Sequence, residues 1–425
     1  MENETAFVMK MSNIKYGSGV TREVGFDMQT LGAKRVMVLA DPNLVGNSPV
    51  NITLESLRHQ GIEAVLFDSV SIEPTDLSFN EAINFAIGGN FDGYVAVGGG
   101  STIDTAKIAN LYASYPDDFL IYVNPPIGEG RPVPGQLAPL IAIPTTAGTG
   151  SETTGVAIFD YKELNAKTGI SHPALRPVMG IVDPDNTRTL PKMVAACTGW
   201  DVLCHALESL TAVPYHKRES PKNPGLRPPY QGANPISDIW ASRAIEMVAH
   251  NIVRVIEDPT DDEARGQMLL ASCFAGIGFG NAGVHLPHAM SYPVSGMVRD
   301  YFPSGYLTDH PIIPHGMAVT LNAPAVFGFT APSDPERHLY AAELMGVDTT
   351  DIGPDDAGEL LANEIIDLMQ RTGMPNGLQA VGFNTKDVDQ LVDGTLLQHR
   401  LTELSPRQAN AADLKTLFQA AMNYW

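Results

Sequence analysis

Short apolar runs in the first half of the chain predict the strands of a buried sheet. Each run holds four to six residues with few polar interruptions, as in parallel strands that are covered on both faces. The runs lie at residues 35–40, 64–67, 93–97, 140–143 and 180–183. Segments with helical spacing separate several of them, at residues 50–60, 77–87 and 102–112. Strands that alternate with helices predict an α/β layer built on a parallel sheet.

Long helical patterns replace the strand runs after about residue 190. They lie at residues 191–213, 236–257, 261–280, 334–345, 355–372 and 410–423. Residues 214–235 are rich in proline and cannot be helical throughout, and residues 297–314 are also irregular. We therefore predict an α/β N-terminal domain over residues 1–187 and an all-α C-terminal domain over residues 188–425.

The charge balance restricts the class of partner. The chain has 425 residues, with 27 Lys and Arg against 48 Asp and Glu, and a formal net charge of −21. Such a surface disfavours nucleic acid and anionic membranes as partners. Small anionic substrates remain compatible with it, because they need only one or two local cations.

Cysteine usage and the first residues bear on the compartment. The three cysteines, Cys197, Cys204 and Cys273, form no Cys-x-x-Cys pair and cannot build a closed disulfide framework. Residues 1–10 are acidic at the start and contain no Arg-rich or long apolar targeting segment. Both observations predict a reducing, cytoplasmic environment.

A glycine turn is the strongest local signal in the α/β half. Gly98-Gly-Gly-Ser-Thr102 follows the strand run at 93–97 directly and precedes a helical segment. Glycines there let the backbone approach a phosphate, and the helix N-terminus supplies free N–H groups. The alternative is an ordinary turn between a strand and a helix.

A second glycine motif matches the dinucleotide pattern only by its letters. Gly278-Phe-Gly-Asn-Ala-Gly283 reads Gly-x-Gly-x-x-Gly, but it follows a helical segment rather than a strand. We interpret its small residues as a site of close helix packing or of a helix end.

Two more loops follow predicted strands. Asp41 ends the run at 35–40, where a carboxylate can bind ribose hydroxyls. Residues 144–152, Pro-Thr-Thr-Ala-Gly-Thr-Gly-Ser-Glu, follow the run at 140–143. Because ligands of open α/β sheets lie beyond the carboxyl ends of the strands, we expect these loops and the glycine turn to meet at one nucleotide.

Histidines and one aspartate predict a metal site in the helical half. Asp201 and His205 are four residues apart and share one face of an apolar helix. A divalent cation would compensate the buried charge, although a buried Asp–His hydrogen bond explains this pair equally well. Two further imidazoles would complete a site with an open position, and the spacing does not select them. The candidates are His285, His288, His310 and His315.

These motifs together resemble the iron-containing (group III) alcohol dehydrogenases. The matching segments are Gly98–Thr102, Ile143–Glu152, Thr198–Glu208 and Pro314-His-Gly316. The resemblance covers essentially the whole chain. It implies a Rossmann-like N-terminal domain, a helical metal-binding domain, and a cleft between them that holds NAD or NADP.

The resemblance also implies roles for individual residues. The ligands of Fe²⁺ or Zn²⁺ would be Asp201, His205, His288 and His315. Tyr292 stands where the family has a second histidine of a His-x-x-x-His-Pro pattern, close to the nicotinamide, and it is the candidate catalytic residue. The cofactor contacts would be Asp41, Gly99, Gly100, Ser101, Thr145, Thr146 and Thr149, with Asp104 and Lys167 nearby.

Several segments resemble one subgroup of that family, the hydroxyacid-oxoacid transhydrogenases. These segments are residues 12–17, 155–161, 214–235 and 234–240, together with Tyr292. The subgroup implies hydride transfer from 4-hydroxybutyrate to 2-oxoglutarate through bound NAD, a homo-oligomer, and the mitochondrial matrix if the chain is a processed eukaryotic form. The alternatives are an alcohol dehydrogenase with freely exchanging NAD(P) and a non-catalytic nucleotide-binding protein.

The two predicted substrates carry carboxylates, so their pocket requires a cation. The irregular segments offer several candidates, and the sequence does not choose among them. They are Lys217, Arg218, Arg227, Arg299 and His310.

Overall fold

The computed structural model describes residues 2–164 and 166–425, and the chain forms two compact units. One unit is Lys10–Leu190, and the other combines residues 2–9 with Pro191–Trp425. Strands occur in the first unit, and the long helices occur in the second.

The strands and the helices of the first unit follow in chain order. The strands are β1 (Asn13–Tyr16), β2 (Arg35–Ala40), β3 (Glu63–Phe67), β4 (Gly93–Gly98), β5 (Leu140–Pro144), β6 (Val156–Tyr161), β7 (Ala166–Ser171) and β8 (Met179–Val182). The helices are α1 (Val24–Thr30), α2 (Ser48–His59), α3 (Asp76–Gly89) and α4 (Gly100–Ser114).

A six-stranded parallel sheet forms the centre of this unit. Its order is β1-β8-β5-β4-β2-β3, and each neighbouring pair is parallel. Alternate residues of β2 pack into separate cores on the two faces of the sheet, Val36 and Val38 on one and Met37 and Leu39 on the other. All four are fully buried, which explains the continuous apolar runs and confirms the predicted α/β class.

Two features of this unit were absent from the predicted elements. The strand β1 is four residues long and only half-buried, so it carries little apolar signal. The strands β6 and β7 form an antiparallel hairpin outside the main sheet, with Asp160 opposite Lys167. Polar residues in both strands interrupt the apolar pattern that marks the sheet strands.

The second unit is built from helices. They are α5 (Lys192–Thr211), α6 (Pro235–Glu257), α7 (Asp262–Ala282), α8 (Leu286–Gly296), α9 (His315–Thr320), α10 (Ala323–Thr330), α11 (Pro335–Leu344), α12 (Ala357–Arg371), α13 (Val388–Leu396), α14 (His399–Thr402) and α15 (Ala411–Ala420). The six predicted helical segments match α5, α6, α7, α11, α12 and α15. The helices α8, α9, α10, α13 and α14 had no predicted counterpart, and in α8 the reason is that Pro287 and Pro293 lie within its 11 residues.

The second glycine motif behaves as predicted. Gly278 lies inside α7, with Ser209, Ser237 and Ala241 beside the position that a Cβ would occupy. Gly283 follows the end of α7 and has a φ of 99°. The motif therefore serves close helix packing and a helix end.

The first residues differ from the expected division of the chain. We expected residues 1–187 to form one domain, but residues 2–9 belong to the helical unit. The reason is a set of contacts with the Pro-rich segment 214–235. Glu4 donates its backbone N–H to Arg218 and forms an ion pair with Arg227 at 2.9 Å. In addition, the backbone N–H of Val8 donates to the Gln231 side chain.

Among the helices in the described part of the chain, no single one is both long and apolar enough to span a bilayer. The pair α7 and α8 passes by combined length and composition, but a bend of 104° separates the two helices.

Candidate functional site

The helix α5 carries two predicted ligands deep in the helical unit. It packs against α6, α7 and α9, so its residues from Ala195 to Thr211 are almost all buried. Asp201 and His205 are only 2% and 4% exposed. The four-residue spacing places both side chains on one face, as the sequence predicts.

Two more histidines meet this pair from other helices. The Asp201 Oδ1 atom lies 3.8 Å from His205 Nε2, 3.6 Å from His288 Nε2 and 3.7 Å from His315 Nε2. One ligand atom from each of the four residues lies within 4.8 Å of all the others. The structure thus selects His288 and His315 from the four candidate histidines.

The unmatched polar atoms of this group fit a divalent cation. Among the described residues, Asp201 Oδ1 and His288 Nε2 are buried without a hydrogen-bond partner. Such atoms are costly unless a ligand satisfies them. One carboxylate and three imidazoles are a donor set for Zn²⁺ or Fe²⁺. The His315 side chain is 25% exposed, so the group is open on that side.

The buried groups of this site shift one another's pKa values, and Asp201 stays ionised. Burial works to raise the pKa of Asp201, but the imidazoles of His205, His315 and His288 outweigh it and lower that pKa far below its usual range. Burial lowers the pKa of His205 to about 3, so this imidazole is neutral and able to act as a ligand.

A second carboxylate contacts His288 at Nδ1, the ring nitrogen that does not face Asp201. Glu208 is fully buried, and its Oε1 lies 2.5 Å from Nδ1 of His288. Its Oε2 accepts the backbone N–H of His285 at 2.6 Å. Glu208 therefore directs Nε2 of His288 toward Asp201 and ties the start of α8 to α5, an arrangement common around protein-bound metals. The sequence signal was its position, seven residues after Asp201 on the same helix.

The position of His315 depends on a glycine. A Cβ at Gly316 would lie 2.0 Å from the backbone oxygen of Cys197 and 2.9 Å from Cβ of Asp201. The start of α9 can therefore approach α5 only with glycine at this position. This explains in physical terms why glycine follows His315.

The remaining predicted residues of the helical half have separate positions. Tyr292 lies one turn after His288, and its ring centroid is 6.4 Å from that of His315. His285 is buried, with Nε2 2.9 Å from the Thr211 hydroxyl. His310 is exposed beside Asp309. Tyr292 borders the four-residue group, whereas His285 and His310 do not belong to it.

The predicted nucleotide loops lie at one edge of the parallel sheet. In the register of β2, β4 and β5, Ala40 pairs with Val97, and Gly98 pairs with Pro144. Asp41 and the two loops that follow β4 and β5 are therefore at neighbouring strand ends, as expected.

The glycine turn after β4 lies against the threonines of the loop after β5. A Cβ at Gly99 would lie 3.2 Å from the Thr146 side chain, and one at Gly100 would lie 2.5 Å from that of Thr149. The helix α4 starts at Gly100, and Gly99 precedes it with no side-chain cap. This arrangement leaves the backbone N–H groups at the start of α4 suited to a phosphate.

The other predicted cofactor contacts fall into two groups: Ser101 and Thr145 lie at the sheet edge, whereas Asp104 and Lys167 bond to other elements of the unit. Ser101 is half-exposed at the start of α4, and Thr145 is buried with its backbone N–H bonded to Gly98. Asp104 accepts from Ser151 and from the backbone N–H of Ile158.

Lys167, like Asp104, bonds to other elements of this unit. Its Nζ pairs with Glu73 at 2.6 Å and with Asp160 at 3.0 Å. Asp104 and Lys167 thus join elements of this unit to one another.

The buried Glu152 leads to a prediction about pH. It is 1% exposed, and burial raises its pKa from 4.5 to about 7, although a backbone hydrogen bond and Lys107 oppose this. Between these two pH values, the unfolded chain releases a proton that the folded protein keeps. Stability is therefore expected to fall as the pH rises from 4.5 to 7, by up to about 3 kcal/mol at about 1.4 kcal/mol per pKa unit.

The variant Glu152→Gln tests this expectation, because its side chain does not titrate. The free energy of unfolding of both proteins is measured by urea denaturation at pH 5 and pH 8. The value for the variant is expected to rise relative to that of the unchanged protein as the pH increases. Parallel pH profiles for the two proteins would contradict the assigned burial cost.

A metal group in a helical unit and phosphate-suited loops on a parallel sheet are features of a metal-dependent, nucleotide-linked oxidoreductase. A family model described as "Iron-containing alcohol dehydrogenase" matches residues 12–184. A second, described as "Fe-containing alcohol dehydrogenase family, C-terminal", matches residues 230–422. The chain therefore belongs to the iron-containing alcohol dehydrogenase family.

Individual relatives agree with this assignment. The chain is 54% identical over 422 residues to "Hydroxyacid-oxoacid transhydrogenase, mitochondrial" of Bos taurus, covering 99% of this chain and 91% of the relative. A solved 1,3-propanediol oxidoreductase has a TM-score of 0.86 and 27% identity, with 98% of this chain and 100% of that chain covered.

A solved sulfoacetaldehyde reductase of Bifidobacterium kashiwanohense, in complex with NAD⁺, shares the fold. Its TM-score is 0.80 at 24% identity, with 99% of both chains covered. The predicted family, fold class and enzyme class are confirmed, and the family description and the Asp–His group agree with the predicted divalent metal.

Proposed function

We propose that this protein is a hydroxyacid-oxoacid transhydrogenase that moves hydride from 4-hydroxybutyrate to 2-oxoglutarate through bound NAD. The observation that carries the proposal is the 54% identity, over 99% of the chain, to a bovine protein of that name. The intact group of Asp201, His205, His288 and His315 supports a catalytic rather than a merely nucleotide-binding protein.

The ligand group positions the reacting end of the substrate. Asp201, His205, His288 and His315 would hold Fe²⁺ or Zn²⁺, and the exposed side of His315 would be the access route. A metal in this group supplies charge stabilisation at the substrate oxygen. Glu208 keeps His288 in the tautomer and orientation that the site needs.

Tyr292 is the proposed catalytic residue of the chain itself. It is 5% exposed and lies beside His315, one helical turn from His288. From there, its hydroxyl can relay the proton that the hydroxyacid loses and the oxoacid gains.

The sheet edge is the proposed cofactor site. Asp41 is placed to bind ribose, and Gly99, Gly100 and Ser101 leave the start of α4 open to a phosphate. Thr145, Thr146 and Thr149 add hydroxyl groups from the neighbouring loop. Asp104 and Lys167 fix the elements behind this edge.

The overall reaction balances without an external oxidant. 4-Hydroxybutyrate loses two electrons and two protons to give succinate semialdehyde, and 2-oxoglutarate gains them to give 2-hydroxyglutarate. NAD, when bound, carries the hydride between the two substrates. The chain must therefore retain the cofactor while the first product leaves.

A two-substrate assay tests the proposal. Purified, metal-loaded protein is expected to convert 4-hydroxybutyrate and 2-oxoglutarate without added NAD. Both products are measured by chromatography. Strict dependence on added NAD would favour an alcohol dehydrogenase with exchanging cofactor. No turnover with any alcohol or hydroxyacid would favour a non-catalytic nucleotide-binding protein.

We place the protein in a reducing compartment, either the cytoplasm or the mitochondrial matrix. The bovine relative is named as mitochondrial, and Cys197 and Cys204 are buried free thiols. Free thiols are typical of such compartments.

A further inference from the structure

An arginine of the helical unit has a buried nitrogen without a hydrogen-bond partner. Arg400 lies in α14, and its side chain is only partly exposed. Its Nη1 atom is buried and, among the described residues, has no hydrogen-bond partner. A buried guanidinium N–H normally has an acceptor, so this atom indicates a ligand with a suitable oxygen.

An aromatic ring orients this arginine. The guanidinium carbon of Arg400 lies 4.9 Å from the centroid of the Tyr230 ring. Tyr230 is 6% exposed, and Arg218 donates to its backbone oxygen. Stacking on a fixed ring holds the guanidinium plane, and a held guanidinium can bind both oxygens of a carboxylate.

Main-chain contacts place Tyr230 beside the helix junction that precedes the ligand His288. The backbone N–H groups of Gln231 and Gly232 donate to the carbonyls of Asn281 and Ala282, at the end of α7. A Cβ at Gly283 would lie 2.9 Å from Cβ of Tyr230.

The helix α14 reaches the same region from the other side. It packs against α8, which carries His288 and Tyr292. The Leu404 side chain, just after α14, lies against the position that a Cβ of Gly283 would occupy. Arg400 therefore lies on one of the helices that pack around α8.

The geometry points to Arg400 as the residue that binds the substrate carboxylate, with Tyr230 as its positioning residue. The inference rests on the proposed function, in which both substrates are carboxylates with a reacting oxygen several bonds away. An extended four-carbon chain separates the hydroxyl of a 4-hydroxyacid from its carboxylate by about 5 Å at ordinary bond lengths. One arginine can thus select both the hydroxyacid and the oxoacid.

Of the five cations expected from the sequence, Arg218 donates to the Tyr230 backbone oxygen, Lys217 is exposed, and the other three already have carboxylate partners. Arg227 pairs with Glu4, Arg299 pairs with Asp387, and His310 pairs with the adjacent Asp309. A cation that already has a carboxylate partner is a poorer site for a second one. Arg400 was not among the predicted cations because it lies in a short helix, outside the irregular segments that supplied them.

Substitution of Arg400 by methionine tests the inference with two readouts. In Arg400→Met, kcat/KM for 4-hydroxybutyrate and for 2-oxoglutarate is expected to fall on the order of 100-fold, mainly through KM. Binding of glutarate, which lacks the oxo group, is measured by calorimetry on the metal-loaded protein and is expected to weaken equally. Metal content and NAD binding are expected to stay unchanged.

Arg407→Met is the matched control. Arg407 also stacks on an aromatic ring, with its guanidinium 4.0 Å from the Phe329 centroid, but it is exposed and donates to the Phe329 backbone oxygen. This variant is expected to keep the kinetics and the glutarate affinity within about threefold. If Arg400→Met loses metal or unfolds, Arg400→Lys decides, with an intermediate loss expected because a lysine cannot form the bidentate pair.

The readouts separate this inference from the proposed function. If the unchanged protein binds glutarate through Arg400 but shows no turnover without added NAD, the transhydrogenase proposal fails and Arg400 stands as a carboxylate site. If turnover occurs and substitution of Arg400 alters neither KM nor glutarate binding, the inference about Arg400 is wrong and the function stands. An unchanged protein that binds no glutarate would also overturn the inference.

Discussion

Substitution of His205 by alanine is expected to leave the protein without bound metal and without hydride transfer. His205 supplies one of four ligand atoms that lie within 4.8 Å of one another, and burial keeps its imidazole neutral. A site with two imidazoles and one carboxylate holds a divalent cation much less tightly. Loss of a residue that hydrogen-bonds to a metal ligand lowers activity by about 10–100-fold, so we expect loss of a ligand itself to lower it by more than about 100-fold. Elemental analysis of the purified variant measures the metal directly.

His310→Ala serves as the control for His205→Ala. His310 belongs to the same run of histidines in the sequence, but it is exposed beside Asp309 and outside the ligand group. This variant is expected to keep its full metal content and activity. A full metal content in His205→Ala would show that the assigned ligands are wrong.

Replacement of Glu208 by glutamine is expected to weaken metal binding by about 10–100-fold. The two carboxylate oxygens have separate tasks, one at Nδ1 of His288 and one at the backbone N–H of His285. A glutamine has only one acceptor oxygen, so one of these two contacts is lost. Competition with a chelator at constant pH measures the metal affinity. Urea denaturation of the metal-free protein is expected to show a loss of about 1–3 kcal/mol.

Thr211→Ala separates the two effects of Glu208. The Thr211 hydroxyl lies on the same helix and contacts the His285 ring, but it touches no ligand. Its removal is expected to lower stability while metal affinity stays within about threefold. If Glu208→Gln lost stability but bound metal like the unchanged protein, the carboxylate would be structural only.

Five of the six strands of the parallel sheet could be predicted, because burial on both faces leaves a continuous apolar run. The runs at 35–40 and 93–97 match β2 and β4 closely, since nearly every residue in them is buried. Burial on one side leaves a weaker mark, and the half-buried β1 was therefore missed. The same reason applies to α8, whose prolines hide a helix that tertiary packing stabilises.

The nucleotide loops were predictable to the level of the sheet edge. Parallel strands end at one edge, so Asp41 and the glycine turn had to lie near each other once the strands were known. The contact of Gly100 with Thr149 required the folded loops. The ion pairs of Lys167 with Glu73 and Asp160 depend on a hairpin that no periodicity had marked.

Features that depend on residues close together in the chain could be predicted without the folded structure. These are the α/β and helical halves, the glycine turn before α4, and the pairing of Asp201 with His205 on one helix face. Helix geometry decides that pairing within four residues, so no other part of the chain is needed.

The identity of the distant side chains that complete the sites follows from the packing of the folded chain. This packing chose His288 and His315 over His285 and His310, set Glu208 behind His288, and brought Tyr230 to Arg400 across 170 residues of chain. The physical reason is that spacing along the chain defines one helix face, whereas the packing of helices decides which faces meet.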